Sequence, residues 1–94
     1  MWYTHLTKQT MNTQYLICKL QEEAAEVIQA VSKINRFGEQ NRHPDRTTTN
    51  KQELVQELED FLAILAVLEQ TQWIDLTLSR DNIKHKAINL LKST

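Results

Sequence analysis

The stretch LICKLQEEAAEVIQAVSKINRFG, residues 16–38, decides the fold, because it is long, helical in pattern and free of Gly and Pro until its last residue. At roughly 100° per residue, its apolar side chains fall within a band of about 80° on one side of a helix. The members of this stripe are Leu16, Leu20, Ala24, Val27, Val31 and Ile34. The pattern predicts a first helix from about Thr10 to Phe37, which Gly38 ends as a left-handed cap.

A polar loop and a second helix follow. Residues 39–48 contain the only proline, Pro44, and are typical of a connection. The run Asn50-Lys51-Gln52-Glu53 has the form of a capping box, in which a side-chain acceptor precedes a Glu by three residues. We expect a second helix from there to about Gln72, with an apolar face wide enough to meet more than one neighbour. That face consists of Leu54, Leu58, Phe61, Ile64, Leu65, Val67 and Leu68.

A shorter third helix is expected from about Ser79, while residues 73–78 fit either a helix end or an extended linker. The 94 residues therefore predict one all-α domain, residues 1–94, built as an antiparallel helical hairpin plus a short third helix. A chain this short buries only about 60–65% of the surface that its unfolded form exposes. We expect a homo-oligomer, a dimer or a tetramer, to complete a four-helix-bundle-like core.

Composition excludes several classes of partner. The 11 Lys and Arg residues nearly balance the 12 Asp and Glu residues, so no overall field attracts nucleic acid or a membrane surface. The N-terminus lacks a charged leader before an apolar core, and the longest apolar run, residues 61–68, is too short to cross a bilayer. The single cysteine, Cys18, suits a reducing cytoplasm and is expected to be a packing residue. We predict a cytoplasmic protein.

Two pairs of acidic residues stand beside the apolar stripes. Glu23 and Glu26 form an ExxE pair, and Glu57 and Asp60 form an ExxD pair. A spacing of three places the members of each pair one helical turn apart on the same side. Each pair alone is weak evidence, because such spacings are common on solvated helices. If the two helices pack antiparallel, however, all four acids face a common space.

The neighbours of these acids do not balance their charge. Ordinary surface acids often have a basic residue four places on, but here those places hold Val27, Ala30, Phe61 and Ile64. Lys19 is the one basic residue four places before a motif acid. Acids beside an apolar seam with so few cations imply that a cation comes from outside. Oxygen-only ligands suit Mg²⁺ or Mn²⁺ rather than zinc.

Residues 20–30, LQEEAAEVIQA, and residues 57–63, ELEDFLA, resemble the MazG-like family of all-α nucleoside triphosphate pyrophosphohydrolases. The signature of that family is ExxE followed by ExxD on successive helices, and both halves occur here in order. SKINRFG at residues 32–38, His43-Pro44 and Asn50 resemble the short versions found in phage and mobile-element proteins. The similarity covers roughly residues 14–68.

The resemblance implies Mg²⁺-dependent cleavage of a (d)NTP between its α- and β-phosphates, giving (d)NMP and pyrophosphate. The catalytic and metal-binding residues that it implies are Glu23, Glu26, Glu57 and Asp60. Either Glu23 or Glu26 is expected to act as the base. Contacts to the substrate are expected from Lys33, Arg36, Asn50 and Lys86. The aromatic side chains available to stack a base are Trp2, Tyr3, Tyr15 and Trp73.

Two other functions fit parts of the sequence. A non-enzymatic helical module, such as an oligomeric regulatory protein, is compatible with the wide apolar face of the second helix. It leaves the unbalanced acids unexplained. A di-iron carboxylate bundle needs Glu-x-x-His on two helices. It is rejected because His5, His43 and His85 have no Glu three residues before them.

Overall fold

The computed structural model describes residues 13–42, 44–71 and 80–94. Within these residues the secondary structure is entirely helical: α1 spans Thr13–Phe37, α2 spans Asn50–Gln70 and α3 spans Arg80–Lys92. The predicted all-α class is confirmed. Several expected boundaries lie outside the described residues. These are the start of the first helix at Thr10, the end of the second at Gln72, the segment at residues 73–78 and the start of the third helix at Ser79.

The end of α1 forms as the sequence predicts. Gly38 has a φ of 93°, a left-handed conformation that costs little only for glycine. In this conformation its N–H donates to the carbonyl oxygen of Ile34 over 2.8 Å, which satisfies one of the carbonyls left open at the helix end. The chain therefore leaves the helix sharply at Gly38 and turns back.

The start of α2 differs from the prediction by one residue. The cap is Thr49, whose side chain accepts from the N–H of Gln52, while the Gln52 side chain accepts from the N–H of Thr49. The expected box from Asn50 to Glu53 is therefore wrong. Asn50 is buried and its side-chain amide donates instead to the carbonyl oxygen of Gly38 over 3.0 Å. This bond ties the end of α1 to the start of α2.

The loop between the helices is held against α2 by backbone hydrogen bonds. The N–H of Asn50 donates to the carbonyl of Asn41 over 2.7 Å, and the N–H of Lys51 donates to that of Glu39 over 2.9 Å. Further along the loop, the guanidinium of Arg46 forms an ion pair with the buried carboxylate of Glu53. The loop thus has a fixed shape beside the first turns of α2.

Helices α1 and α2 pack closely as an antiparallel hairpin. Leu68, which has 0% of its surface exposed, and Leu16 are buried near one end, and Ala30 is buried further along α1. Two residues of the predicted apolar stripes lie outside the buried seam between the helices. Val31 is 41% exposed and Leu58 is 39% exposed, so the seam runs closer to the acidic side of each helix than the stripes suggested.

Other apolar groups also remain uncovered. Every residue of α3 is exposed, including Leu90 and Leu91, and α3 makes no contact with the hairpin among the described residues. Cys18 is an exposed free thiol, so the expectation that it packs is wrong. None of the described helices combines the length and the apolar character needed to cross a bilayer.

Candidate functional site

The antiparallel hairpin brings the four motif acids together. Glu23 and Glu26 project from α1, and Glu57 and Asp60 project from α2. Because residue numbers rise along one helix as they fall along the other, Glu26 lies beside Glu57 and Glu23 lies near Asp60. One carboxylate oxygen from each residue lies within 4.8 Å of the other three. We call these four residues the acid cluster.

The acid cluster is partly withdrawn from water. The Glu23 side chain is only 13% exposed, whereas Asp60 lies at the exposed rim. One oxygen of Glu23, Oε2, and one oxygen of Glu57, Oε2, are buried without a hydrogen-bond partner in the described part of the chain. Buried polar atoms without partners are rare, because each loses its bonds to water without compensation. Two such oxygens in one cluster are therefore available to coordinate a cation.

The cluster also raises the affinity of two of its members for protons. Burial raises the pKa of Glu23 above its ordinary value of 4.5, and the nearby charges of Glu26 and Asp60 add to the effect. The pKa of Glu26 is raised first by its hydrogen bond with the Glu57 carboxyl group and then by burial. Glu23 and Glu26 therefore keep their protons to a higher pH than ordinary glutamate side chains do.

Few cations of the chain itself neutralise this charge. The Lys19 ammonium lies 3.7 Å from Glu23 Oε1 and 3.9 Å from Glu22 Oε2. Among the described residues, no ion pair is formed by Glu26, Glu57 or Asp60. Four converging carboxylates, two buried unpartnered oxygens and a single cation match the needs of a hard divalent ion with oxygen ligands. The residues present therefore fit Mg²⁺ or Mn²⁺.

A cavity of about 210 Å³ opens beside the acid cluster, and we call it the acid-side cavity. Its lining residues are Glu26, Gln29, Ala30, Lys33, Arg46, Glu53 and Glu57. Two carboxylates of the acid cluster, those of Glu26 and Glu57, thus line the same cavity as the basic groups of Lys33 and Arg46. This juxtaposition suits a polyanion that is bridged to acids by metal ions and contacted directly by basic side chains.

A second cavity, of about 270 Å³, lies at the loop end of the hairpin, and we call it the loop cavity. Its lining residues are Lys33, Phe37, Asn41, Arg42, Pro44, Asn50 and Glu53. Lys33 and Glu53 line both cavities, so the two spaces adjoin.

The four residues that were expected to contact the substrate lie in different parts of the structure. Lys33 lies at the junction of the two cavities, and Asn50 lines the loop cavity. Arg36 is exposed, with its guanidinium carbon 4.8 Å from the centroid of the Phe37 ring. Lys86 lies on α3 and is exposed, away from the hairpin. Only Lys33 and Asn50 are thus brought next to the acid cluster and its cavities.

Arg46, Glu53 and Phe37 line these cavities but were not among the predicted site residues. For Glu53 the sequence carries a usable signal, because Glu53, Glu57 and Asp60 follow the i, i+4, i+7 spacing of a single helix face. For Arg46 and Phe37 no comparable pattern exists, because their positions depend on how the loop folds back.

A family model described as phosphoribosyl-ATP pyrophosphohydrolase matches residues 3–87, which is most of the sequence. No curated protein and no solved structure matched. The match covers both acidic motifs and confirms the MazG-like resemblance that they carry.

Proposed function

The chain belongs to the phosphoribosyl-ATP pyrophosphohydrolase family, and on this premise we propose that it hydrolyses nucleoside triphosphates at the acid cluster. Membership supports a hydrolase that acts on acid anhydrides. The products are (d)NMP and pyrophosphate, and the reaction depends on Mg²⁺ or Mn²⁺. The observation that carries this proposal is the meeting of four carboxylate oxygens within 4.8 Å beside a cavity lined by Lys33 and Arg46.

Glu23, Glu26, Glu57 and Asp60 would hold a divalent ion, which would neutralise phosphate charge and lower the pKa of a bound water. Oε2 of Glu23 and Oε2 of Glu57, which are buried without a hydrogen-bond partner among the described residues, would regain by ligation what they lose by burial. Glu23 or Glu26 takes the proton of the attacking water. That water forms a bond to the α-phosphorus, the bond from the α-phosphorus to the bridging oxygen breaks, and pyrophosphate leaves.

The phosphates are held by side chains rather than by backbone amides. A glycine-rich phosphate loop is excluded, because Gly38 is the only glycine and it serves as a helix cap. Lys33 and Arg46 are the basic groups that line the acid-side cavity. Because they line the same cavity as Glu26 and Glu57, they could contact phosphate oxygens directly while a metal held by the acids neutralises the remaining charge.

The active form is a homo-oligomer, a dimer or a tetramer, that completes a four-helix-bundle-like core. The support is the apolar surface that the hairpin leaves uncovered, which includes Ile28, Val55 and Leu62 besides Val31 and Leu58. A surface this apolar on a small protein is usually a contact surface. A second copy of the hairpin offers the matching face.

The proposal is tested by incubating the protein with canonical (d)NTPs, and separately with phosphoribosyl-ATP, in Mg²⁺ and resolving the products by chromatography. We expect (d)NMP and pyrophosphate from (d)NTPs, no products in EDTA, and recovery on adding Mg²⁺ or Mn²⁺. NDP and orthophosphate as primary products refute the assignment. A non-enzymatic oligomeric module predicts no turnover of any substrate and no rise in melting temperature with Mg²⁺.

A further inference from the structure

The loop cavity lies next to the cavity that is proposed to hold the phosphates. It adjoins the acid-side cavity through Lys33 and Glu53, which line both. Phe37 lies eleven residues beyond Glu26 on α1, a rise of roughly 16 Å along the helix axis. A nucleotide whose phosphates occupy the acid-side cavity therefore extends its nucleoside towards Phe37.

The lining of the two cavities differs in the way that the two halves of a nucleotide differ. The acid-side cavity presents three carboxylates and two basic groups. The loop cavity is lined by the Phe37 ring and Pro44 and by the side-chain amides of Asn41 and Asn50, with the charged residues Lys33, Arg42 and Glu53 completing the lining. An apolar wall with a few convergent polar groups is typical of small-molecule sites. Nucleobases in particular stack on aromatic rings and bond through their edges to Asn side chains.

The groups that would contact a base are held in place. The Arg36 guanidinium stacks on the Phe37 ring at 4.8 Å, which restrains the ring. Asn50 donates to the Gly38 carbonyl, so among the described residues its amide oxygen keeps its acceptor capacity. The amide oxygen of Asn41 accepts from the N–H of Arg42 over 2.9 Å, so its NH₂ group remains to donate. Among the described residues, the cavity lining thus includes one amide donor and one amide acceptor that make no other hydrogen bond.

We propose that the loop cavity binds the nucleoside of the substrate, with the base stacked on Phe37 and its edge bonded to Asn41 and Asn50. The inference rests on the proposed function for the placement of the phosphates. Of the aromatic residues expected from sequence to stack a base, Tyr15 lies eleven residues from Glu26 in the opposite direction, and the other three lie outside the described residues.

The test separates the nucleoside from the phosphates by comparing two ligands. Binding of an α,β-methylene nucleoside triphosphate analogue and of inorganic tripolyphosphate is measured by calorimetry in Mg²⁺. The variants are Phe37→Leu and Asn41→Ala, the second being a loop change that keeps the test valid if the first does not fold. Tyr15→Leu is the matched control, because Tyr15 is 57% exposed, Phe37 is 54% exposed, and both lie eleven residues from Glu26.

We expect Phe37→Leu to weaken binding of the analogue roughly tenfold, the scale of one base stacked on an aromatic ring. We expect Asn41→Ala to weaken it severalfold, and neither variant to change the affinity for tripolyphosphate. Tyr15→Leu should bind both ligands as the wild type does. The inference is overturned if both variants bind the analogue normally, if both ligands weaken equally, or if the wild type does not bind the analogue.

Turnover is measured on the same variants, so that failure of the pocket and failure of the proposed function are distinguishable. Wild-type turnover with an unchanged KM in Phe37→Leu refutes the pocket and leaves the hydrolysis standing. Binding of the analogue that depends on Phe37, without turnover of any (d)NTP, supports the pocket and refutes the hydrolysis.

Discussion

Replacing Glu57 by Gln separates a metal site from an ordinary group of surface acids. One Glu57 oxygen is buried without a partner in the described part of the chain, and hydrogen bonding to the Glu57 carboxyl group raises the pKa of Glu26. The amide of Gln is nearly isosteric and donates to the Glu26 carboxylate without needing a shared proton. We therefore expect the metal-free variant to melt at the wild-type temperature or above it.

The response to Mg²⁺ should change in the opposite direction. At a Mg²⁺ concentration a hundred times Kd, an ion that binds only the folded state stabilises it by about 2.7 kcal/mol. For a chain of this size that corresponds to a rise in Tm of about 10–20 °C. If loss of one of four ligands raises Kd a hundredfold, the stabilisation at the same Mg²⁺ concentration falls to about 0.4 kcal/mol. The rise in Tm then shrinks to about 2–3 °C.

The assay is a thermal melt of EDTA-treated protein across a Mg²⁺ titration, together with turnover of a (d)NTP. Turnover of Glu57→Gln should fall by orders of magnitude, because the bound ion supplies both charge neutralisation and the activated water. Glu22→Gln and Glu59→Gln are the controls, since both acids are exposed neighbours of the cluster. A Glu57→Gln variant that keeps the wild-type Mg²⁺ response, and turnover within a factor of a few of wild type, would refute the metal site.

Further outcomes follow from the same contacts. The pKa values of Glu23 and Glu26 are raised above 4.5, so the stability that these groups contribute is present below pH 4.5 and is lost as pH rises through the raised values. Over that window, the Tm of the metal-free wild type should fall relative to the Tm of the Glu23→Gln/Glu26→Gln variant. Leu68→Ala should cost about 2–5 kcal/mol in chemical unfolding while leaving the Mg²⁺ response intact. Arg46→Ala removes the partner of the buried Glu53 carboxylate. It should lower the free energy of unfolding by an amount near the lower end of about 1–3 kcal/mol, because Arg46 is half-exposed. In a Glu53→Gln background the same substitution should lower the free energy of unfolding by less. Sedimentation at micromolar concentration should show a dimer or a larger species, and a well-folded monomer would contradict this.

The elements that were predicted correctly depend on the spacing of residues that are close together in the sequence. The 3.6-residue repeat and Gly38 define α1 and its end, because both act within a few residues of the chain. The convergence of the four acids also follows from sequence, since ExxE and ExxD spacings need only an antiparallel neighbour to meet. Fold class and acid cluster were therefore both predictable.

Features that depend on distant partners were not predictable. Val31 and Leu58 were expected in the seam of the hairpin, but they are exposed because the helices meet closer to the acids. An apolar stripe indicates what a helix buries against all of its neighbours and does not say which neighbour covers which residue.

The loop shows the same limit. Thr49 and Asn50 both carry side chains that can cap a helix. Asn50 is drawn away from that role by the carbonyl of Gly38, twelve residues earlier, and Thr49 forms the cap. The pairing of Arg46 with Glu53 and the position of Phe37 in the loop cavity likewise arise only once the loop has folded back.

The central claim is that water attacks the α-phosphorus of a nucleoside triphosphate at the acid cluster. Hydrolysis in ¹⁸O-labelled water with Mg²⁺, followed by mass spectrometry of both products, tests it most directly. We predict one ¹⁸O atom in the nucleoside monophosphate, none in pyrophosphate, and no labelled product from Glu57→Gln on the same timescale. Label in pyrophosphate, label in orthophosphate, or full labelling by Glu57→Gln would contradict it.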